Sequence, residues 1–183
     1  MRVVGLDLAG SQRNDTGWCL LAETGGVKAV ACRIVHSDDE ILSGLRDARP
    51  DIVAVDAPLT YSGARRACDE ALREYGALPV TLRGMEILAE RGRSLAEKMR
   101  VGGLRFIEVH SQASAKILGV YHKNDFTMQK NMMALDLAGD VNTKILSRDE
   151  LDAVMAAVTG YLSLFSQTRE VGDDAGRVVV PNV

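Results

Sequence analysis

The sequence is poor in the residues that mark several large classes of protein. Its three cysteines, Cys19, Cys32 and Cys68, lie far apart and form no Cys-x-x-Cys pair. That sets aside a disulfide framework and a structural zinc site, and leaves buried free thiols as the expectation. One Trp, four Tyr and three Phe leave little with which to stack single-stranded bases. No apolar run approaches the ~20 residues of a membrane-spanning helix. The Met-Arg start passes at once into strand-like sequence, without the apolar core and small-residue cleavage site of a secretory signal, so a cytoplasmic protein is expected. The net charge of −3 argues against a strong sequence-independent grip on phosphates, which needs an excess of Lys and Arg. There is no internal repeat, low-complexity stretch or linker. At 183 residues the simplest reading is one domain spanning 1–183.

What is present reads as α/β. The run "RVVGLDL" is an apolar, β-branched strand, "TGWCLLAE" a second and "VKAVACRIV" a third, joined by turn-rich segments into an antiparallel meander. "DDEILSGLRDA" has helical spacing, with acids in its first turn and Pro50 at its end. "DIVAVDAP" repeats the opening pattern, an apolar run closed by an Asp. Residues 62–101 read as a mostly helical insertion broken at Gly76, Pro79 and Gly84. "GLRFIEVH" is a fifth strand, and "SQASAKILGV" starts a helix with Ser111 as a plausible N-cap. Residues 121–146 are mixed and helical. In "SRDELDAVMAAVTGYLSLF", Ser147 and Glu150 fit a capping box before a long apolar helix, and "GRVVVP" adds an edge strand or a turn. This order predicts a ribonuclease H-like fold: a mixed five-stranded sheet, three antiparallel strands and then parallel ones, flanked by helices.

Acids punctuate that order. Asp7 and Asp56 close two apolar strands, at the carboxyl ends where α/β sheets bind ligands, and Glu108 ends a third. Asp152 sits in a helix that is apolar nearly all round, where a lone ionised carboxylate is costly. Asp149 precedes it by one i, i+3 step, on the same helix face. Convergence of these acids would call for a hard divalent cation, Mg²⁺ or Mn²⁺, and a pair of such ions suits phosphodiester hydrolysis. Each residue also has a plainer reading. Asp7 could start an Asx-turn, Asp56 could cap a turn and Asp149 could favour a helix N-terminus through the dipole. Glu108 could pair with a nearby Arg or Lys, and His110 could be a hydrogen-bonded structural histidine. His36 and His122 lie in polar loops and carry no signal. Between residues 65 and 105 nine Lys or Arg face six Asp or Glu. That excess makes the insertion, with Arg65 and Arg66, a candidate phosphate-facing patch, the alternative being a solvated helix face of mixed charge.

The blocks "GLDLAGS", "AVDAPL", "RRACDEALR", "IEVHSQASAKILG" and "SRDELDAVMAAVTGYL", with "VGD" and "VVVP" after them, resemble a family of predicted ribonuclease H-like nucleases, domain of unknown function family 429. The last long block also resembles the final helix of Holliday-junction resolvases. The resemblance implies a nuclease with Asp7, Asp56, Asp149 and Asp152 as metal-binding residues, Glu108 as a further catalytic candidate, nucleic acid as partner and a possible homodimer. Arg65, Arg66 and His110 are the candidates for substrate binding. That family usually has Glu-Val-His-Pro where this chain has "EVHS", so Ser111 departs from its pattern. Two alternatives belong to other classes. "GLDLAGS" also resembles the first phosphate loop of sugar kinases and actin-like ATPases, which build a phosphotransfer cleft between two copies of this fold. A non-catalytic domain that binds nucleic acid or protein is the other.

Overall fold

The computed structural model describes residues 1–182. Five strands and a helix follow the predicted order: β1 (Arg2–Asp7), β2 (Thr16–Thr24), β3 (Val27–Val35), α1 (Asp38–Ala48), β4 (Ile52–Asp56) and β5 (Phe106–Val109). Between β4 and β5 the excursion holds a short α2 (Ala67–Ala71) and a long α3 (Met85–Val101). The stretch between these helices is less helical than expected, because Gly76 and Gly84 stand at φ +106° and +95°, where only glycine is at ease. Then come α4 (Ser111–Ile117), α5 (Asp125–Met132), β6 (Leu137–Gly139), α6 (Asp140–Thr143), α7 (Arg148–Ser163), β7 (Thr168–Asp173) and β8 (Gly176–Pro181). Among the described residues no helix is long and apolar enough to cross a membrane. All three cysteines are buried free thiols.

The sheet has eight strands where five were expected, in the order β6-β3-β2-β1-β4-β5-β8-β7. The core five are as predicted: β1 and β2 are antiparallel, β2 and β3 antiparallel, β1 and β4 parallel, β4 and β5 parallel. The three additions are peripheral. β6 adds three residues beside β3, and the β7–β8 hairpin extends the far side through β8, which runs parallel to β5.

Strand pleating divides the core into two layers. Val4, Leu6, Val53 and Val55 face α1 and α3, whereas Val3, Ile52, Cys19 and Leu21 pack with α7 and with Met128 and Met132 of α5. The α7 helix is the central element of the second layer. It begins at the predicted capping box, with Ser147 accepting from the Glu150 N–H and Glu150 closing back on the Ser147 N–H. Its backbone lies almost directly on the sheet. A Cβ at Gly5 of β1 would stand 2.1 Å from the Ala153 carbonyl oxygen, and one at Gly17 of β2 only 1.9 Å from that of Asp149. Two strand glycines thus set the depth of the helix, by removing the side chains that would hold it off.

Candidate metal centre

Register places the acids. Asp7 and Asp56 are Cα partners in the parallel β1–β4 ladder, on strands about 4.8 Å apart. By strand alternation they share the face of Val3, Gly5 and Ile52, the face that α7 covers. Across the other ladder Asp7 is opposite Gly17, and the Asp149 carbonyl lies against that glycine. The first turns of α7 therefore stand above the ends of β1 and β4, bringing Asp149 and Asp152 towards Asp7 and Asp56. Ser111, the first residue of α4, ties the two sides together: its N–H donates to Asp56 Oδ2 at 2.9 Å and its Oγ donates to the Asp152 carbonyl at 2.8 Å.

The electrostatics of this corner disfavour negative charge at Asp7, Asp149 and Asp152. Burial raises the pKa of Asp7 well above the ordinary carboxylate value, and the charges of Asp56, Asp152 and Asp149 raise it further. No hydrogen-bond donor or cation among the described residues offsets that effect. Asp152 is pushed up to about 7 by burial and by Asp56, with Arg148 opposing. Asp149 is raised too, by burial and then by Asp15, Asp125 and Glu150. The donors are hard carboxylate oxygens, the set that suits Mg²⁺ or Mn²⁺ rather than a thiolate- or imidazole-seeking metal. Among the described residues, no three His, Cys, Asp or Glu side chains stand close enough together to hold an ion as placed. What the fold supplies is four acids in one field, with Asp7 left uncompensated.

A pH dependence follows from the raised values. Asp7 and Asp152 keep protons in the folded chain at pH values where the unfolded chain has already lost them. The contribution of Asp152 to stability is complete below about pH 4, shrinks as pH rises, and is gone above about 7, and that of Asp7 falls in the same direction. For Asp152 alone this amounts to at most about 4 kcal/mol. Urea unfolding of metal-free protein between pH 4 and 8 should show wild type losing stability relative to Asp152→Asn across that window. Parallel curves for the two proteins would mean that the raised value is absent.

Two of the expected site residues line the cleft beside Asp7 and Asp56 but pair with each other instead of joining the acids. Glu108 is the partner of Val55 in the β4–β5 ladder and therefore points to the α1/α3 face, opposite to Asp56 and Val109. There it accepts from the Leu59 N–H at 2.7 Å and meets Arg66 Nη1 at 2.8 Å. Its plainer reading, pairing with an arginine, is the one observed. Arg66 is correspondingly not phosphate-facing: it is 5% exposed, and Nε and Nη2 donate to the two Asp69 oxygens at 3.2 and 2.6 Å. Burial works against its charge, but Asp69 and Glu108 outweigh that and hold the guanidinium protonated. Arg65, its neighbour, is exposed. His110 caps α4, Nδ1 accepting from the Ala113 N–H at 3.4 Å, and its ring lines a cleft shared with Asp7 and Asp56.

Two other residues matter in ways the sequence did not show. Gly5, inside an apolar strand, carried the usual signal of a close backbone approach. Arg91 read as one of the arginines of the insertion, a candidate specificity element. From the middle of α3 it donates to the Ala9 carbonyl at 2.6 Å, the His36 carbonyl at 2.7 Å and Asp38 at 3.0 Å, fixing the loop that follows Asp7.

No family model and no curated protein matches the chain. Among solved structures it is similar to that of Thermus thermophilus RuvC, with a TM-score of 0.55 and 14% identity over 91% of this chain and 97% of that one. At that identity the likeness speaks for the architecture, and the architecture of this chain is a ribonuclease H-like α/β fold with one mixed sheet flanked by helices.

Proposed function

We propose that this protein is a divalent-cation-dependent nuclease that hydrolyses phosphodiester bonds of nucleic acid. The observation that carries the reading is the pairing of Asp7 and Asp56 at the ends of β1 and β4, with the charges of Asp56, Asp152 and Asp149 all acting on Asp7. The sequence blocks that resemble the predicted nuclease family contain these four residues, and the chain has the fold that the resemblance implies. Asp7 and Asp56 would hold a cation from the sheet, and Asp149 and Asp152 from the helix. Mg²⁺ or Mn²⁺ held there would supply activation of the attacking water and charge compensation at the phosphate and the leaving oxygen. The rest is positioning by the chain itself. Ser111 aims the Asp56 carboxylate, the two strand glycines fix the depth of α7, and Arg91 holds the loop after Asp7. The phosphotransfer alternative has less support, because those clefts need two copies of the fold and this chain has one sheet. The test is cleavage of single-stranded, duplex, hybrid and branched nucleic acids in Mg²⁺ or Mn²⁺. Metal-dependent cleavage of at least one of them is expected; none, with Mn²⁺ still raising thermal stability, would redirect the site to another phosphoester.

Ser111 gives a sharper prediction. It occupies the first turn of α4, where proline is accommodated, so Ser111→Pro should fold while losing both the N–H to Asp56 and the hydroxyl to Asp152. Groups that orient metal-binding carboxylates typically contribute about 10–100-fold in metal affinity. The Mn²⁺ concentration giving half-maximal thermal stabilisation should rise about 10-fold, and Ser111→Ala, which keeps the N–H, should show less. An unchanged midpoint in the proline variant would remove Ser111 from the site.

On the insertion, the exposed Arg65 is the phosphate contact to test. Arg65→Ala should weaken nucleic-acid binding across sequences and lower the salt slope by about 1. A slope equal to that of wild type would take this part of the insertion out of the interface.

A further inference from the structure

Beside the four acids lies a cleft of ≈200 Å³ that starts at Asp7 and Asp56 and runs beneath the excursion between β4 and β5. We propose that this cleft receives the base and sugar of a single unstacked nucleotide whose phosphate would be held through a divalent cation at Asp7 and Asp56. The proposal rests on the nuclease reading and narrows its substrate to nucleic acid with unpaired or unstacked nucleotides.

The lining sets the chemistry of the occupant. Beyond the two aspartates the wall carries Arg66 with its partners Asp69 and Glu108, and the remainder is mainly apolar, with Leu72, Ala77, Leu78, Met85 and Leu88 supplied by the excursion. Arg66, also on the wall, is engaged on both sides by Asp69 and Glu108 and by Thr60, so it has no free fork to offer a phosphate. A phosphate therefore has no reason to travel past the mouth, and what enters further must be uncharged and largely apolar. The size points the same way. The cleft is smaller than the roughly 300–1,000 Å³ of sites for drug-sized ligands and suits one ring system rather than a stacked pair. His110 provides the polar mark. With Nδ1 accepting from the Ala113 N–H, its neutral ring carries the proton on Nε2, which is then free to donate to a base or phosphate oxygen.

Substrate preference follows. Placing a base in the cleft means taking it out of the stack, which is cheapest where the base is mismatched, unpaired or at a branch. A continuous duplex pays the full stacking and pairing energy first. The excursion is the part of the chain that turns a general carboxylate site into one that discriminates by nucleic-acid structure.

The experiment has two arms. In the first, a nucleoside 5′-monophosphate and ribose 5-phosphate are titrated into wild type in Mg²⁺, following the methyl resonances of Leu72, Leu78 and Leu88. Shifts with the nucleotide and not with the base-free sugar phosphate are expected. Leu88→Trp, which fills the cleft from above, and Leu78→Asp, at an exposed position, should each weaken nucleotide binding at least 10-fold while leaving the Mn²⁺-dependent rise in thermal stability intact. In the second arm, wild type should cleave substrates with unpaired nucleotides at least 10-fold faster than continuous duplex, and both variants should lose that preference. Nucleotide binding in the cleft without cleavage of any nucleic acid supports the pocket and overturns the nuclease reading. Cleavage with an unchanged preference in both variants, or absence of methyl shifts with the nucleotide, overturns the pocket.

Discussion

Asp7→Asn is expected to abolish metal-dependent cleavage, by about 10³-fold or more, and at the same time to make the metal-free protein more stable at pH 7 to 8. The two effects share one cause. Asp7 is half-buried in the field of Asp56, Asp152 and Asp149 with nothing positive or hydrogen-bonding to compensate it, so its charge harms the empty fold. An amide of the same shape removes that repulsion. It also removes a donor from the cation site, whose contribution to the transition state is several kcal/mol, each 1.36 kcal/mol being tenfold in rate. A residue kept for structure would show the reverse pattern, a destabilised protein with proportionately reduced activity. Thermal unfolding and cleavage rate measured on the same preparation separate the two cases. A variant that is both less stable and still active would contradict the assignment of Asp7.

Arg66→Ala is expected to destabilise the protein by about 3–5 kcal/mol, the loss typical when one partner of a buried ion network is removed and the others remain. Asp69 and Glu108 would then be buried carboxylates without their cation. The damage should spread along the excursion, because Asp69 also accepts from the Val80 N–H and Arg66 reaches Thr60. For a domain of this size each kcal/mol moves the melting midpoint by about 2–4 °C, so a fall of about 10 °C is anticipated. Neutralising the acids as well, in Arg66→Met with Asp69→Asn and Glu108→Gln, should recover much of it, since replacing a whole buried ion network is far less damaging than breaking it. Arg65→Ala, one residue away on the surface, should move the midpoint by little. Equal midpoints for Arg65→Ala and Arg66→Ala would refute the buried network.

The contrast between these two arginines shows where the sequence stops being legible. "RR" in a basic segment reads as surface charge, and only the fold reveals that one of the pair sits between two acids. Glu108 was ambiguous for a related reason. In a central parallel strand both faces are buried, so "FIEVH" has no polar alternation to say which face carries the acid, and the face follows from its pairing with Val55. Asp7 and Asp56 were legible because each ends an apolar run at the carboxyl edge of the sheet. The unusual setting of Asp152 was legible because neither solvation nor a cap accounts for an acid in an apolar helix, and the structure gives it a raised pKa beside Asp56. Local signals also located α1 and α7, whose capping boxes at Ser37 and Ser147 are both formed. Only the second of these boxes was foreseen. Of the three extra strands, β8 was foreseen as an edge strand or a turn, and the other two were missed for physical reasons. β6 is three residues long, and β7 is a polar edge strand with four of its six residues exposed, so neither has a hydrophobic pattern to read.

The central claim is that the four aspartates form a divalent-cation site, and calorimetric titration of Mn²⁺ into the metal-free protein at pH 7.5 tests it most directly. Saturable binding is predicted for wild type, and it should be lost or greatly weakened in Asp7→Asn and Asp152→Asn. Wild type that binds no Mn²⁺, or variants that bind it as wild type does, would contradict the account.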